Sequence, residues 1–449
     1  SSAPVSHLIA VLIAFLGLII ANFSRNYVAG EPQEARYAAM LHITLAAVAF
    51  TVLSNHLLML IGGWVAISLG LHQLLLFYPE RPRAALAAHK KFLLARTAEL
   101  ALLTAALILY DINGTWLISE IVAGYGDGPL SSAEQIAALL LAAAALIKCA
   151  QLPMHGWLIQ VVEAPTPVSA LLHAGIINLG GYLLILFAPL LSQAAPAQWL
   201  LLVVAGLTTV LASLIMTTRI SIKVKLAWST SAQMGLMLVE CALGLYELAM
   251  LHLLAHACFK AYLFLSAGGA VEAQLQQRLA PSRAPAMGAW LGAAAVAIPL
   301  TVLAAQFLAP QGPLSPWLLV AAFLTVLLAE RDSLVSRGPR TTAMALALVL
   351  FVALITQKLI LTPLVSGPAP VVGWLADLWI AALIGLLVAT WALLRRSPES
   401  TFSRQVSAWL FAGLYLDEWF TRTTLRVWPR RLPVRMHPKR LSTLSEEAF

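Results

Sequence analysis

Apolar runs of roughly 20 residues, the length needed to cross a bilayer, recur along this chain and are separated by short connections that carry most of its charge. No water-exposed surface could be built from such a sequence: of 449 residues, 60% are hydrophobic and 11% charged, with a mean hydropathy of +0.85. The pattern defines an all-α, polytopic transmembrane helical bundle, because in hydrocarbon each backbone N–H and C=O must be satisfied within its own segment. Hydropathy and the positions of Pro and Gly place about thirteen spans. They are 7–24, 37–57, 58–78, 91–110, 133–150, 168–188, 198–217, 226–245, 247–266, 285–308, 316–330, 341–362 and 371–394. The connections check that register. Arg25 and Arg36 follow the first span, Arg81, Arg83, Lys90 and Lys91 the third, and Arg219, Lys223 and Lys225 the seventh. Arg278 and Arg283 follow the ninth, Arg331, Arg337 and Arg340 the eleventh, and Arg395 and Arg396 the thirteenth. Connections 111–132, 189–197, 309–315 and 363–370, on the opposite side, contain no Lys or Arg. By the positive-inside rule the basic side and the C-terminus face the cytoplasm, and the N-terminus faces outward.

That distribution also accounts for the net charge of +8, so a nucleic-acid partner is not expected. The three cysteines, Cys149, Cys241 and Cys258, form no C-x-x-C pair, which argues against a disulfide framework or a cluster held by this chain alone. The chain divides into a transmembrane bundle, 1–396, and a segment 397–449. Within the latter, 404–428 mixes aromatics with Arg404, Asp417, Glu418, Arg422 and Arg426, as expected of a helix lying in the membrane interface or against a partner. The tail 430–440 is a basic strip suited to anionic membrane lipid, or to docking a partner. A short amphipathic stretch, 113–126, is expected on the outer side. Ser1 to Ser6 do not read as a signal peptide and no Met precedes them, so a processed or truncated start is expected.

Against this background four cations are out of place: Arg96, Lys148, Lys260 and Lys358 fall inside spans, every other Lys and Arg being assigned to a connection or the tail. A charge at mid-bilayer costs at least ~2.5–3.5 kcal/mol unless paired or hydrated, so such residues are functional candidates by default. Lys148 precedes Pro153, Pro165 and Pro167. Prolines break the helical ladder, and broken helices within a membrane line cavities and supply ion sites. A lysine held there can alternate between charged and neutral states, whereas one at an ordinary helix end would snorkel to the interface. His252, His256 and Lys260 stand four residues apart on one helical face, each ~6 Å above the last, with Lys260 ~20 Å from the helix start. Imidazoles there suit a proton relay, or a structural hydrogen bond for one of them. A metal site is disfavoured because no carboxylate or cysteine stands at ligand spacing. Glu99 lies three residues after Arg96, within pairing reach, as a tuning group or as a structural ion pair. His173 and His72 would extend the relay, while Glu240, Lys358 and Asp377 lie in or near spans with weaker context. No G-x-G-x-x-G, P-loop or cysteine cluster is present, so this chain is expected to bind no nucleotide or nicotinamide and to carry no catalytic site.

Several of these residues also carry a resemblance. The run KCAQLPMHGW from Lys148, continuing through EAPTPVSALLHAG with Glu163 and His173, resembles the signature of proton-antiporter-like membrane subunits of respiratory NADH dehydrogenases (subunit 5) and Mrp antiporters. So do STSAQMGLM from Ser229, HLLAHACFKAYLFL from His252 to Lys260, and FLLARTAE with Arg96 and Glu99. The resemblance covers roughly residues 60–270. It implies a pseudo-repeated helical bundle with two broken helices and a central polar axis. By position, Lys148 would be the central proton-accepting lysine, with His173, His252, His256 and Lys260 as channel residues. Glu99 and Arg96 stand where the family carries an acidic residue and its arginine, and Glu163 and His72 would support the path.

The departures point to one branch. Val65, where the respiratory subunits carry Glu, follows Trp64, and the distal stretch GAWLGAAAVAIPLTVLAAQFLAP lacks the family's lysine. There is no room for a long lateral helix, and two N-terminal spans are expected to be missing. With LHAGIINLGGY and GLYLDEWFTRTTLRVWP, these features are most similar to the membrane subunits of DAB-type inorganic carbon accumulation systems, the DabB or MpsA-like branch. That resemblance implies a multi-pass subunit of a bacterial inner membrane with no cofactor in this chain. It implies a large peripheral partner, DabA-like, with a zinc site similar to that of a β-type carbonic anhydrase. Cation flux, expected to be of protons, would make the partner's hydration of carbon dioxide to bicarbonate one-way. The alternative expectation is a proton-pumping subunit of a respiratory complex or an Mrp-type cation/proton antiporter.

Overall fold

The structure is a computed structural model and describes residues 3–78, 81–126, 128–269, 287–308, 314–329, 372–396 and 399–428. Each expected span that falls on these residues is helical, and no strand occurs among them. The expected span 341–362 with Lys358, and the basic tail 430–440, lie outside the described residues.

Four long helices open the chain: α1 (Ala3–Tyr27), α2 (Glu34–Leu53), α3 (Leu57–Leu75) and α4 (Pro82–Asn113). Gly114, in the left-handed region at φ 67°, caps α4, and its N–H donates to the Tyr110 carbonyl. The amphipathic stretch beyond it forms a short helix, α5 (Ile118–Ala123), that buries Ile118 and Ile121. α6 (Ser132–Lys148) starts with a reciprocal cap in which Ser131 Oγ accepts from Glu134 N–H and the Glu134 carboxylate accepts from Ser131 N–H. The proline-rich segment that follows is broken as expected, into α7 (Gly156–Gln160), α8 (Thr166–Ala174), α9 (Leu179–Leu186) and α10 (Ala188–Leu191). Then come α11 (Ala195–Thr217), α12 (Ile222–Ala242), α13 (Tyr246–Leu265), α14 (Met287–Leu308), α15 (Ser315–Ala329), α16 (Gly373–Arg396), α17 (Thr401–Phe411) and α18 (Glu418–Val427). Among the described residues nine helical segments are long and apolar enough to cross a membrane, the interrupted stretch Thr166–Leu186 being one of them.

That stretch forms the centre of the bundle. It is wrapped by α1, α6, α12 and α13, and α8 and α9 have almost no surface exposed. Elsewhere small residues allow helices to close on each other. α2 packs on α3 where Gly63 meets Thr51 and Gly70 meets Thr44; a Cβ at Gly63 would lie 2.3 Å from the Thr51 hydroxyl. Overpacking of this kind costs about 1–3 kcal/mol. Gly63→Leu should therefore lower the Tm of the detergent-purified protein, whereas Gly62→Leu, with nothing within 4 Å of the new Cβ, should leave it unchanged.

One sequence expectation is corrected here. Lys90 and Lys91 are not in a connection: α4 begins at Pro82 and buries both, at 0% and 4% exposure. A hydropathy window ends at paired lysines, but the preceding alanine-rich turn and buried acceptors for both ammonium groups carry the helix through them. Among the described residues, the basic connections after the first, third and seventh spans lie at one end. There Arg36 reaches Gln73, Arg81 reaches the Glu163 carbonyl, and Lys223 reaches Thr166. α17 and α18 fold back onto this same basic end, where Arg219 Nη2 donates to the Leu410 carbonyl at 3.1 Å.

Candidate ion-conduction site

Lys148 is the last residue of α6, where the helix gives way: Ala150 turns to φ 50° and the chain runs irregularly to α7. Its side chain is buried, and its ammonium stands 4.7 Å from the ring centroid of Trp64 on α3, a cation–π contact and not a carboxylate pair. Lys148 is therefore not snorkelling to an interface. Around it α4 presents Glu99, Arg96 and Lys91, each within electrostatic reach. Arg96 Nη2 donates to Glu99 at 2.7 Å, and Lys91 Nζ donates to the carbonyl and hydroxyl of Ser68 at 2.6 and 2.9 Å. Lys148, Lys91 and Arg96 thus share the field of one carboxylate. In such a cluster the position of a proton responds to its neighbours' charges. His72, on α3, adjoins this group, its Nδ1 3.3 Å from the Ala88 carbonyl and its ring within the field of Lys91.

A second polar cluster lies between α8, α12 and α13. Lys260 is fully buried and donates to the Ser229 hydroxyl at 2.8 Å and the Leu226 carbonyl at 3.2 Å. His173, also fully buried, stacks on Phe264 with ring centroids 4.4 Å apart, and its Nδ1 lies 3.1 Å from Thr230 Oγ1. That hydroxyl donates its proton to the Leu226 carbonyl at 2.9 Å, so His173 Nδ1 carries the hydrogen and Nε2 is left with a lone pair. His256 is buried one turn from Lys260 and within its field, and its ring meets that of His252 edge-on at 6.3 Å. His252 Nδ1 faces both oxygens of Glu240, at 3.0 and 3.1 Å, while Nε2 faces Gln233 at 2.9 Å.

Consecutive residues of α12 join the two clusters. Ser229 holds Lys260, Thr230 holds His173, and Ser231 Oγ donates at 3.3 Å to the carbonyl of Ala150, two residues beyond Lys148. A polar stripe also rises from the basic end. Thr166, Ser169 and His173 follow one another along one face of α8, and Lys223 Nζ donates to Thr166 Oγ1 at 2.9 Å at its mouth. Ser169 Oγ, His173 Nε2 and both ring nitrogens of His256 are buried without a protein hydrogen-bond partner among the described residues. Buried atoms of this kind are rare and mark places where water or a moving proton is accommodated.

Most of the sequence-derived candidates therefore converge. Arg96, Glu99, Lys148 and His72 meet at the first cluster, and His173, His252, His256 and Lys260 at the second. Glu163 stands apart, its backbone carbonyl bound by Arg81 at the basic end. Sequence reasoning missed Lys91, although it shares a side of α4 with Glu99 at i, i+8 spacing. It also undervalued Glu240: no carboxylate stands at ligand spacing along α13, but this one reaches His252 from α12. The tight α12–α13 hairpin, turning at Gly244 with φ 71°, sets Glu240 against His252. Among the described residues both carboxylate oxygens engage His252 alone. No group of three or more His, Cys, Asp or Glu suited to a metal is gathered among the described residues.

A buried lysine where α6 breaks off, a second buried lysine and a histidine pair thus lie around the interrupted centre of an apolar helical bundle. The chain belongs to the NADH:quinone oxidoreductase/Mrp antiporter transmembrane family, whose profile matches residues 54–284. It is 52% identical over 440 residues to the probable inorganic carbon transporter subunit DabB of Hydrogenovibrio crunogenus, covering 98% of this chain and 85% of that one. With the probable inorganic carbon transporter subunit DabB2 of Halothiobacillus neapolitanus it shares 36% identity over 446 residues, 94% of this chain and 79% of that one. Similarity to NADH-quinone oxidoreductase subunit L of Mycobacterium tuberculosis, at 33%, extends over 60% of this chain and 43% of that one. Among solved structures the fold matches a chain of the Mrp complex from Dietzia sp. with a TM-score of 0.53 and 21% identity, over 98% of this chain and 51% of that one.

Proposed function

We propose that this chain is the cation-conducting membrane subunit of an inorganic carbon uptake complex. Protons run down their gradient through the two lysine clusters toward the cytoplasm, and this flux drives a peripheral partner that converts carbon dioxide to bicarbonate. The basic end and the C-terminal strap face the cytoplasm, where the partner binds. Its zinc, which activates water for attack on carbon dioxide, is held by the partner and not by this chain. Within this chain Lys148 and Lys260 gain and lose the transferred proton, the histidines pass it between them, and Glu99 and Glu240 set the local field. The observation that carries the reading is the strength of one likeness: 52% identity through 98% of the chain with the DabB of Hydrogenovibrio crunogenus, against 33% through 60% with a respiratory subunit. A second DabB relative also runs through 94% of the chain, while others match 59–60% of it. A charge-free α14, where respiratory relatives are expected to carry a lysine, favours the same side.

Purification of the tagged chain from its native membrane tests this. A peripheral zinc protein with carbon dioxide hydration activity is expected to co-purify in stoichiometric amount. Recovery of redox subunits and small membrane subunits in its place would support a respiratory or Mrp-type antiporter instead.

A further inference from the structure

A third buried cluster lies outside the conduction site, under the C-terminal strap formed by α17 and α18. Lys90 is fully buried, and its ammonium donates to Asp417 Oδ2 at 2.5 Å and to Thr421 Oγ1 at 2.6 Å. Gln160, on α7, donates to the same carboxylate oxygen at 3.2 Å. The other oxygen presses on Gly156, where α7 begins: a Cβ there would lie only 1.7 Å from Asp417 Oδ1. One carboxylate from the strap therefore grips both α4 and the broken helix beyond Lys148, at a point that only glycine leaves open.

The strap is bent to make this contact. Between α17 and α18, Gly413, Leu414 and Tyr415 all take left-handed φ values of 66°, 54° and 54°. Leu and Tyr are strained in that region and persist there only where surrounding contacts impose them. Those contacts are the Asp417 clasp, Arg219 against the Leu410 carbonyl, and Trp428 stacked on His89 with centroids 4.8 Å apart.

Both α4 contacts adjoin the conduction site. Lys90 precedes Lys91, which faces Lys148. Trp428 also meets Phe92 edge-on at 5.9 Å, and Phe92 lies under the Arg96 guanidinium at 4.9 Å, which holds Glu99. Releasing the strap would take both the carboxylate and the hydroxyl from Lys90, so that α4 loses the contacts that hold it here.

We propose that Asp417 is a positioning residue for ion conduction: by clasping Lys90 and Gly156 it seats the strap and fixes α4 and the helix break around Lys148 in conducting register. This rests on the cation-conducting reading above. The test uses the intact complex in proteoliposomes, with ion flux read against pH and with protease cleavage within 399–428 reporting whether the strap is seated. Asp417→Asn keeps the shape and removes the charge. It is expected to expose the strap to cleavage and to reduce Lys148-dependent flux at least tenfold with an altered pH profile. Gly156→Ala, which displaces the carboxylate without altering any charge, is expected to do the same, and serves if Asp417→Asn does not reach the membrane. The exchange Lys90→Asp with Asp417→Lys should restore a seated strap and part of the flux. A released strap with flux and pH profile like wild type would overturn the proposal while leaving the conduction reading intact. Wild-type flux that does not depend on Lys148 would overturn both.

Discussion

Lys148→Ala is expected to leave the subunit folded, inserted and bound to its partner while abolishing carbon-dependent growth in air, with growth restored at high carbon dioxide. The fold should survive because this ammonium faces an indole and not a carboxylate, a contact worth about 0.5–2 kcal/mol. Removing it strands no buried anion, since Glu99 keeps Arg96 at 2.7 Å. Transport should fail because this ammonium is the group that the break sets within the field of Glu99, Lys91 and Arg96. Lys148→Arg sharpens the point. It preserves the positive charge and the aromatic contact, yet a guanidinium does not deprotonate in a protein. If Lys148 only held helices together through its charge, Lys148→Arg would retain activity; it is expected to be as inactive as Lys148→Ala. The readouts are membrane abundance by immunoblot and bicarbonate accumulation in intact cells.

The second large effect is expected at Lys260. Lys260→Met should also abolish bicarbonate accumulation, but with a measurable loss of stability. The Ser229 hydroxyl would lose its Lys260 donor, at about 1–3 kcal/mol for an unsatisfied group, while the Leu226 carbonyl keeps the Thr230 hydroxyl. A larger fall in Tm in detergent should therefore accompany Lys260→Met than Lys148→Ala. Because both lysines serve one path, combining the substitutions should lower transport no further than either alone, while the stability losses add. Residual transport in Lys260→Met, removed only in the double variant, would mean that two independent routes cross the bundle.

Much of this architecture was legible from residue patterns, for physical reasons that differ from element to element. A span announces itself because hydrocarbon demands a long apolar helix, and the broken segment because Pro153, Pro165 and Pro167 cannot sustain one. Lys148 and Lys260 stood out because an isolated cation inside an apolar run has no inexpensive structural explanation. The lysines at 90 and 91 were hidden by the same logic. Paired charges at the edge of an apolar run look like a connection, and the acceptors that bury them, Ser68 on α3 and Asp417 on the strap, are distant in sequence. Glu240 was undervalued because its partner His252 lies across a hairpin whose geometry no spacing rule gives. The seam of Ser229, Thr230 and Ser231 was visible as a motif, but its three separate partners depend on how α8, α13 and the helix break pack around α12.

Proton flux through the reconstituted complex tests the central claim most directly. Proteoliposomes carrying the intact complex and an internal pH dye should acidify under an imposed inward proton gradient. Those carrying Lys148→Ala, Lys148→Arg or Lys260→Met at equal protein content should stay at the rate of empty vesicles. Equal acidification by the wild type and by all three variants would contradict conduction through these buried lysines.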